Sequence, residues 1–158
     1  MTLKINTRKF EGKVSSATQR VQFRSNGVHE SYKDYDAITN FLEAILDGAN
    51  TMFTRVYTSD NGPGEICIEI EGWDSTDGDC IMSIVFDEQE SFEDTIGEIA
   101  NELEDYASDF DPEEEANKYM NANVPGTPSL RKLLKAMDER KADMVALADA
   151  VRAAYNKM

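Results

Sequence analysis

The chain has 158 residues, 41% hydrophobic and 9% aromatic, enough to bury a core and too many for a disordered acidic tail. A formal charge of −15 and a pI near 4.4 argue against binding nucleic acid or anionic membrane, whose phosphates reward Lys and Arg. No apolar run approaches the roughly 18 residues that span a bilayer, and the N-terminal Met-Thr-Leu-Lys-Ile-Asn lacks the apolar core of a signal peptide. Cys67 and Cys80 are too few for a disulfide scaffold and read as reduced thiols of a cytoplasmic protein.

Residues 1–30 hold Lys4, Arg8, Lys9, Lys13, Arg20 and Arg24 against Glu11 and Glu30. Gln19-Arg20-Val21-Gln22-Phe23-Arg24 alternates polar and apolar, as a half-buried strand does, and Ser25-Asn26-Gly27 marks a turn after it. The basic residues read as a solvated strand face, because no aromatic stacking pattern accompanies them.

Asp34 or Asp36 caps a predicted helix running to about Asp47, with Ile38, Phe41, Leu42, Ile45 and Leu46 on one face and Gly48 suited to its C-terminal cap. Three strands follow, at Met52–Thr58, Glu65–Glu71 and Cys80–Phe86, with a dense turn signal at Asp60–Gly64. The middle strand puts Ile66, Ile68 and Ile70 on one face and Glu on the other, so it has a wet side. The last strand is apolar on both faces and reads as buried between layers. Short connections make antiparallel pairing the natural topology. Trp73, beside Gly72, reads as a core residue, with an exposed interface anchor as the alternative.

Ser91 caps the next predicted helix, with Asp94 three positions on. Its apolar stripe is Phe92, Ile96, Ile99, Ala100, Leu103, Tyr106, Ala107 and Phe110. Asp111-Pro112 restarts the chain as a short helix, with Pro at its first position and Glu113–Glu115 in its first turn. Residues 121–128 form a linker, and Ser129 caps a long amphipathic helix reaching about Tyr155 that either packs back on the domain or pairs with a partner helix.

Charge is distributed unevenly along this plan. The 62 residues from Val56 to Asn117 contain no Lys or Arg and 21 Asp or Glu, while the rest of the chain has a surplus of six positive charges. On the helix from Ser91 the face away from the apolar stripe reads Asp94, Glu98, Glu102, Asp105 and Asp109. Their spacing of three or four gives four like-charge pairs, each opposing the helix by about 0.2–0.5 kcal/mol. Folding gains nothing from this face. Acids at a helix N-terminus are favoured, so only Glu98 to Asp109 lack a folding explanation. A row of carboxylates with a rise near 5.4 Å per turn approximates the close spacing of phosphates on a nucleic-acid strand. It would attract a protein groove lined with Lys and Arg and repel DNA itself. Glu69, Glu71 and the loop acids Asp74, Asp77 and Asp79 are candidate extensions of this surface. The bland alternative is a face that only keeps the protein soluble, although solubility alone can use both signs of charge.

No catalytic constellation emerges. His29 is the sole histidine, so a zinc site needs both cysteines and carboxylates as well. Both cysteines sit in strand patterns, where a small buried hydrophobe is the usual reading. Asp74, Asp77 and Asp79 do not follow the calcium-loop order, which leaves only weak divalent-cation binding open there. No carboxylate pair has environments that split its pKa values, and Asn61–Gly64 lacks the Lys-Ser/Thr of a phosphate loop. No cofactor is expected.

Asp109-Phe110-Asp111-Pro112-Glu113-Glu114-Glu115, followed by Gly126-Thr127-Pro128-Ser129-Leu130-Arg131-Lys132-Leu133-Leu134, resembles the C-terminal segments of small acidic proteins of bacterial phages and conjugative elements. The resemblance runs over roughly residues 109–151, little more than a quarter of the chain, and carries over no site residue. It implies a mobile-element origin, a setting in which small acidic anti-CRISPR and antirestriction proteins block host defence nucleases.

The expectation is an α+β domain over residues 1–120, with an antiparallel sheet of three or more strands packed with helices, and a helical C-terminal arm at 129–158. The expected function is non-enzymatic inhibition of a basic nucleic-acid-binding protein. The alternative is a regulatory or homodimeric interaction module contacting through its last helix and basic N-terminal third. A hydrolase using divalent metal at the acidic loop is a weaker third class.

Overall fold

In a computed structural model the protein is described over residues 32–74 and 78–158. The predicted strand at Gln19–Arg24, its turn, His29 and Asp77 lie outside these residues. The described chain forms an α+β fold: α1 (Tyr35–Ala49), β1 (Phe53–Asp60), β2 (Glu65–Trp73), β3 (Asp79–Asp87), α2 (Phe92–Asp109), α3 (Pro112–Ala122) and α4 (Leu130–Asn156).

The sheet is antiparallel in the order β1-β2-β3. Ile66, Ile68 and Ile70 of β2 are fully buried, with Met82 and Ile84 of β3 and Val56 of β1 beside them. The helices cover this face only. β3 therefore alternates strictly between buried and exposed, and Ile81 and Val85 point away from the core, 47% and 43% exposed. This corrects the expectation of a strand buried between layers, because none of the described elements packs on the outer face. Trp73 lies on the same outer face, 56% exposed, and so takes the exposed alternative rather than the core role. Its neighbour Gly72 has a steric task. A Cβ there would lie 2.2 Å from the Met52 carbonyl oxygen, where β1 carries an irregularity between Phe53 and Arg55.

Asp34 is the cap of α1 and accepts a hydrogen bond from the Ala37 N–H. The helix continues through Gly48 to Ala49, and Asn50 takes the left-handed conformation expected of Gly48 (φ 55°). Ser91, Asp111 and Ser129 each cap the helix that follows them, accepting from N–H groups of its first turn.

The C-terminal helix is no free arm. Met144, Leu147, Ala148 and Val151 of α4 belong to the same buried cluster as the sheet and α2. Leu133, Ala136 and Met137 form a second cluster with Ala116 of α3. Polar ties reinforce the docking: Asp143 accepts from the Met52 N–H at 2.9 Å, and the Lys141 ammonium donates to the Ala107 and Phe110 carbonyls at 2.9 and 2.6 Å. That cation sits where the α2 macrodipole is negative. Among the described residues no helix is long and apolar enough to cross a membrane.

Candidate functional site

The acidic face of α2 follows from the side that the helix buries. Ile96, Ile99, Ala100 and Leu103 are at most 1% exposed and fix the rotation of the helix. Burying side chains such as Ile96, Ile99 and Leu103 contributes about 1.5–3 kcal/mol each, more than the roughly 1–2 kcal/mol lost to four like-charge pairs. Packing therefore wins and imposes a row of carboxylates on the opposite side. Asp94, Asp105 and Asp109 are exposed, and Glu98 and Glu102 half-buried.

The crowding has an electrostatic signature. Partial burial raises the Glu102 carboxyl above the ordinary value of 4.5. A hydrogen bond with Glu98 and the charges of Glu98 and Asp105 push it the same way. Among the described residues its charged neighbours are thus acids rather than compensating cations.

Several basic side chains of the described region are engaged elsewhere. Lys33 bridges Asp60 and Glu88 at 3.7 and 3.2 Å, Arg55 reaches Glu71 at 3.8 Å, and Lys118 pairs with Glu115 at 2.9 Å. Arg152 of α4 binds Glu104 through two nitrogens and holds its carboxyl below the usual value. Glu104 lies on the flank of α2 that faces α4, while the row from Asp94 to Asp109 lies on the other side. Among the described residues no ion pair reaches Glu98, Glu102, Asp105 or Asp109. A cleft of about 250 Å³, lined by Tyr106, Asp109, Phe110 and Glu115, opens at the C-terminal end of the row.

The candidate extensions separate. Glu69 is exposed on the outer sheet face, between Tyr57 and Ser83 in register. Glu71 shares that face, but it is only half-exposed and engaged by Arg55. Asp79 is exposed at the start of β3. Asp74 does not belong to the surface: its carboxylate, 3% exposed, pairs with the Arg140 guanidinium inside the protein. It is a structural acid, and the loop reading is corrected there. The sheet acids and the α2 row also face different ways, because α2 packs on the inner side of the sheet, so they do not make one continuous patch.

Among the described residues no three His, Cys, Asp or Glu side chains gather as metal ligands. Cys80 is buried, which raises its thiol pKa despite the opposing Arg140 charge, and Cys67 lies half-exposed on the outer sheet face. Sequence reasoning missed Glu104 as a paired acid and Lys141 as a helix cap, because both depend on how α4 docks. No family model, curated protein or solved structure matches the chain.

Proposed function

We propose that the protein is a non-enzymatic inhibitor that uses the carboxylate row of α2 as a nucleic-acid mimic, occupying the Lys- and Arg-lined groove of a bacterial defence nuclease. The observation that carries this reading is the row itself: five acids from Asp94 to Asp109 on one rigid helix face, met by no cation among the described residues. They span about 22 Å of helix, close to the axial length of six or seven phosphates on one DNA strand. The resemblance of residues 109–151 to acidic proteins of mobile elements points to the same setting. α4 spends most of its apolar face inside the chain, which favours inhibition over the alternative of a module dimerising through that helix.

The test is competition. The intact chain should displace duplex DNA from a CRISPR-associated or restriction nuclease that it inhibits, with the effect weakening as salt rises, because exposed charges are screened beyond about 8–10 Å near physiological ionic strength. The combined variant Glu98→Gln, Glu102→Gln, Asp105→Asn, Asp109→Asn should fold at least as well and lose inhibition. Undiminished inhibition by that variant would sink the proposal.

A further inference from the structure

The outer face of the sheet carries chemistry that the fold does not use. Among the described residues the helices lie on the inner face only. Down the middle strand the outer side chains are Glu65, Cys67, Glu69, Glu71 and Trp73. Tyr57 of β1 lies beside Glu69, while Ile81 and Val85 of β3 lie beside Glu71 and Cys67. Asp79 stands next to Trp73, and Asp87 next to Glu65. Tyr57, Trp73, Ile81 and Val85 are between 43% and 56% exposed. Large apolar side chains grouped on one face and interleaved with charge mark an interaction surface. Arg55 shows what this face takes: its guanidinium lies 5.3 Å from the Tyr57 ring centroid and 3.8 Å from the Glu71 carboxylate. A second ring with carboxylates beside it stands at Trp73, which pairs in register with Asp79 and has Glu71 two residues away on the same face. Tryptophan is the ring that holds a cation best. Among the described residues no ion pair reaches Glu69 or Asp79.

We propose that the outer sheet face docks an arginine-bearing segment of a partner protein, with one guanidinium seated on the Trp73 ring beside Asp79. The aliphatic stems of such side chains would lie along Ile81 and Val85 while their charged ends meet Glu69 and Asp79. Charge selects this occupant over a second copy of the chain. Glu65, Glu69, Glu71, Asp79 and Asp87 face outward, with Arg55 the one cation among the described residues there, so two such faces repel each other. Three strands about 4.8 Å apart and about 30 Å long present a face of about 430 Å², roughly half of what each partner buries in a stable interface. Apolar contact alone is therefore small, and the sign of the charge decides which surface docks. This inference does not rest on the inhibitor reading, because the α2 row faces another way.

Trp73 is the only tryptophan of the chain, so its fluorescence reads this face in the intact protein. The probe is a short synthetic peptide alternating arginine and valine. In the unmodified chain alone acrylamide should quench Trp73 freely, and the peptide should shield it, less so as salt rises. By calorimetry, Trp73→Ala should weaken peptide binding roughly tenfold, as for an aromatic anchor. Glu69→Gln with Asp79→Asn should weaken it about fivefold, the order of two exposed ion pairs. Ser83→Arg sets a competing cation beside Glu69 and should also weaken it, with the unfolding midpoint of the parent. The combined variant Glu98→Gln, Glu102→Gln, Asp105→Asn, Asp109→Asn should bind the peptide as the parent does, whatever becomes of inhibition. Any of four results overturns the proposal. The peptide leaves Trp73 as accessible as before. Trp73 is shielded without peptide, whether by residues 1–31 or by a second copy that leaves on dilution. A peptide alternating arginine and serine binds equally well. Affinity falls with the α2 substitutions and not with those on the sheet.

Discussion

The guanidinium of Arg140, in the middle of α4, meets the carboxylate of Asp74, just past the end of β2, with side chains 5% and 3% exposed. The contact ties the C-terminal helix to the sheet across 66 positions of sequence. A buried pair adds little net stability when intact, but removing one partner strands a charge and costs about 3–5 kcal/mol. Arg140→Met and Asp74→Leu should each lower the unfolding midpoint by that order. The double substitution should cost much less than their sum, since neither charge is then left alone. Additive losses in a denaturant titration would show that the two side chains act independently.

Lys141, one position on, does a different job. Its ammonium donates to two carbonyls at the end of α2, Ala107 and Phe110. Lys141→Met should destabilise by about 1–2 kcal/mol, the range for a partly buried cation at a helix C-terminus. Amide exchange should quicken in the last turn of α2 ahead of its first. A midpoint unchanged within a few tenths of a kcal/mol would mean that the contact contributes nothing.

Gly72 sets how closely β2 passes the start of β1. Gly72→Ala places a Cβ 2.2 Å from the Met52 carbonyl oxygen and 2.8 Å from the Phe53 Cα, so backbone must move. The expected loss is about 1–3 kcal/mol, as for overpacking in general, read from the thermal midpoint. An alanine variant as stable as the parent would show that the first residues of β1 yield freely.

Local rules made the element plan legible. The caps at Asp34, Ser91, Asp111 and Ser129 and the Ile66-Ile68-Ile70 alternation need only neighbours within a few residues, and the structure has them. The acidic row was also legible, since the stripe of Ile96, Ile99 and Leu103 fixes which side of α2 faces out. What failed to show was the effect of distant segments. Asp74 looks like any loop acid until α4 brings Arg140 to it. Ile81 and Val85 make β3 apolar throughout, yet a strand is buried on both sides only where a second layer exists, and the described chain supplies one layer of helices. The long apolar face of α4 is equally suited to its own core or a partner, and the competition is decided in three dimensions.

Two acids on α2, two positions apart, should respond to pH in opposite senses. Glu102 has its folded pKa raised above 4.5 by partial burial and by Glu98 and Asp105, so the folded state holds its proton longer than the unfolded state. Stability from this group therefore falls as pH rises through the window just above 4.5. Glu104 has its folded pKa lowered by the Arg152 hydrogen bond; its contribution is present above 4.5 and is lost as pH falls through the depressed value. At pH 7 Glu102→Gln should stabilise by about 0.5–1 kcal/mol, from two relieved like-charge pairs. Glu104→Gln should destabilise by about 0.2–1 kcal/mol, the range for an exposed pair. Both differences should shrink towards zero below the ordinary carboxylate value, one from above and one from below. Unfolding midpoints of the three proteins between pH 3 and 7 decide the matter. If Glu102→Gln were destabilising at pH 7, a cation would be compensating the row, and the α2 face would be no unpaired anionic surface.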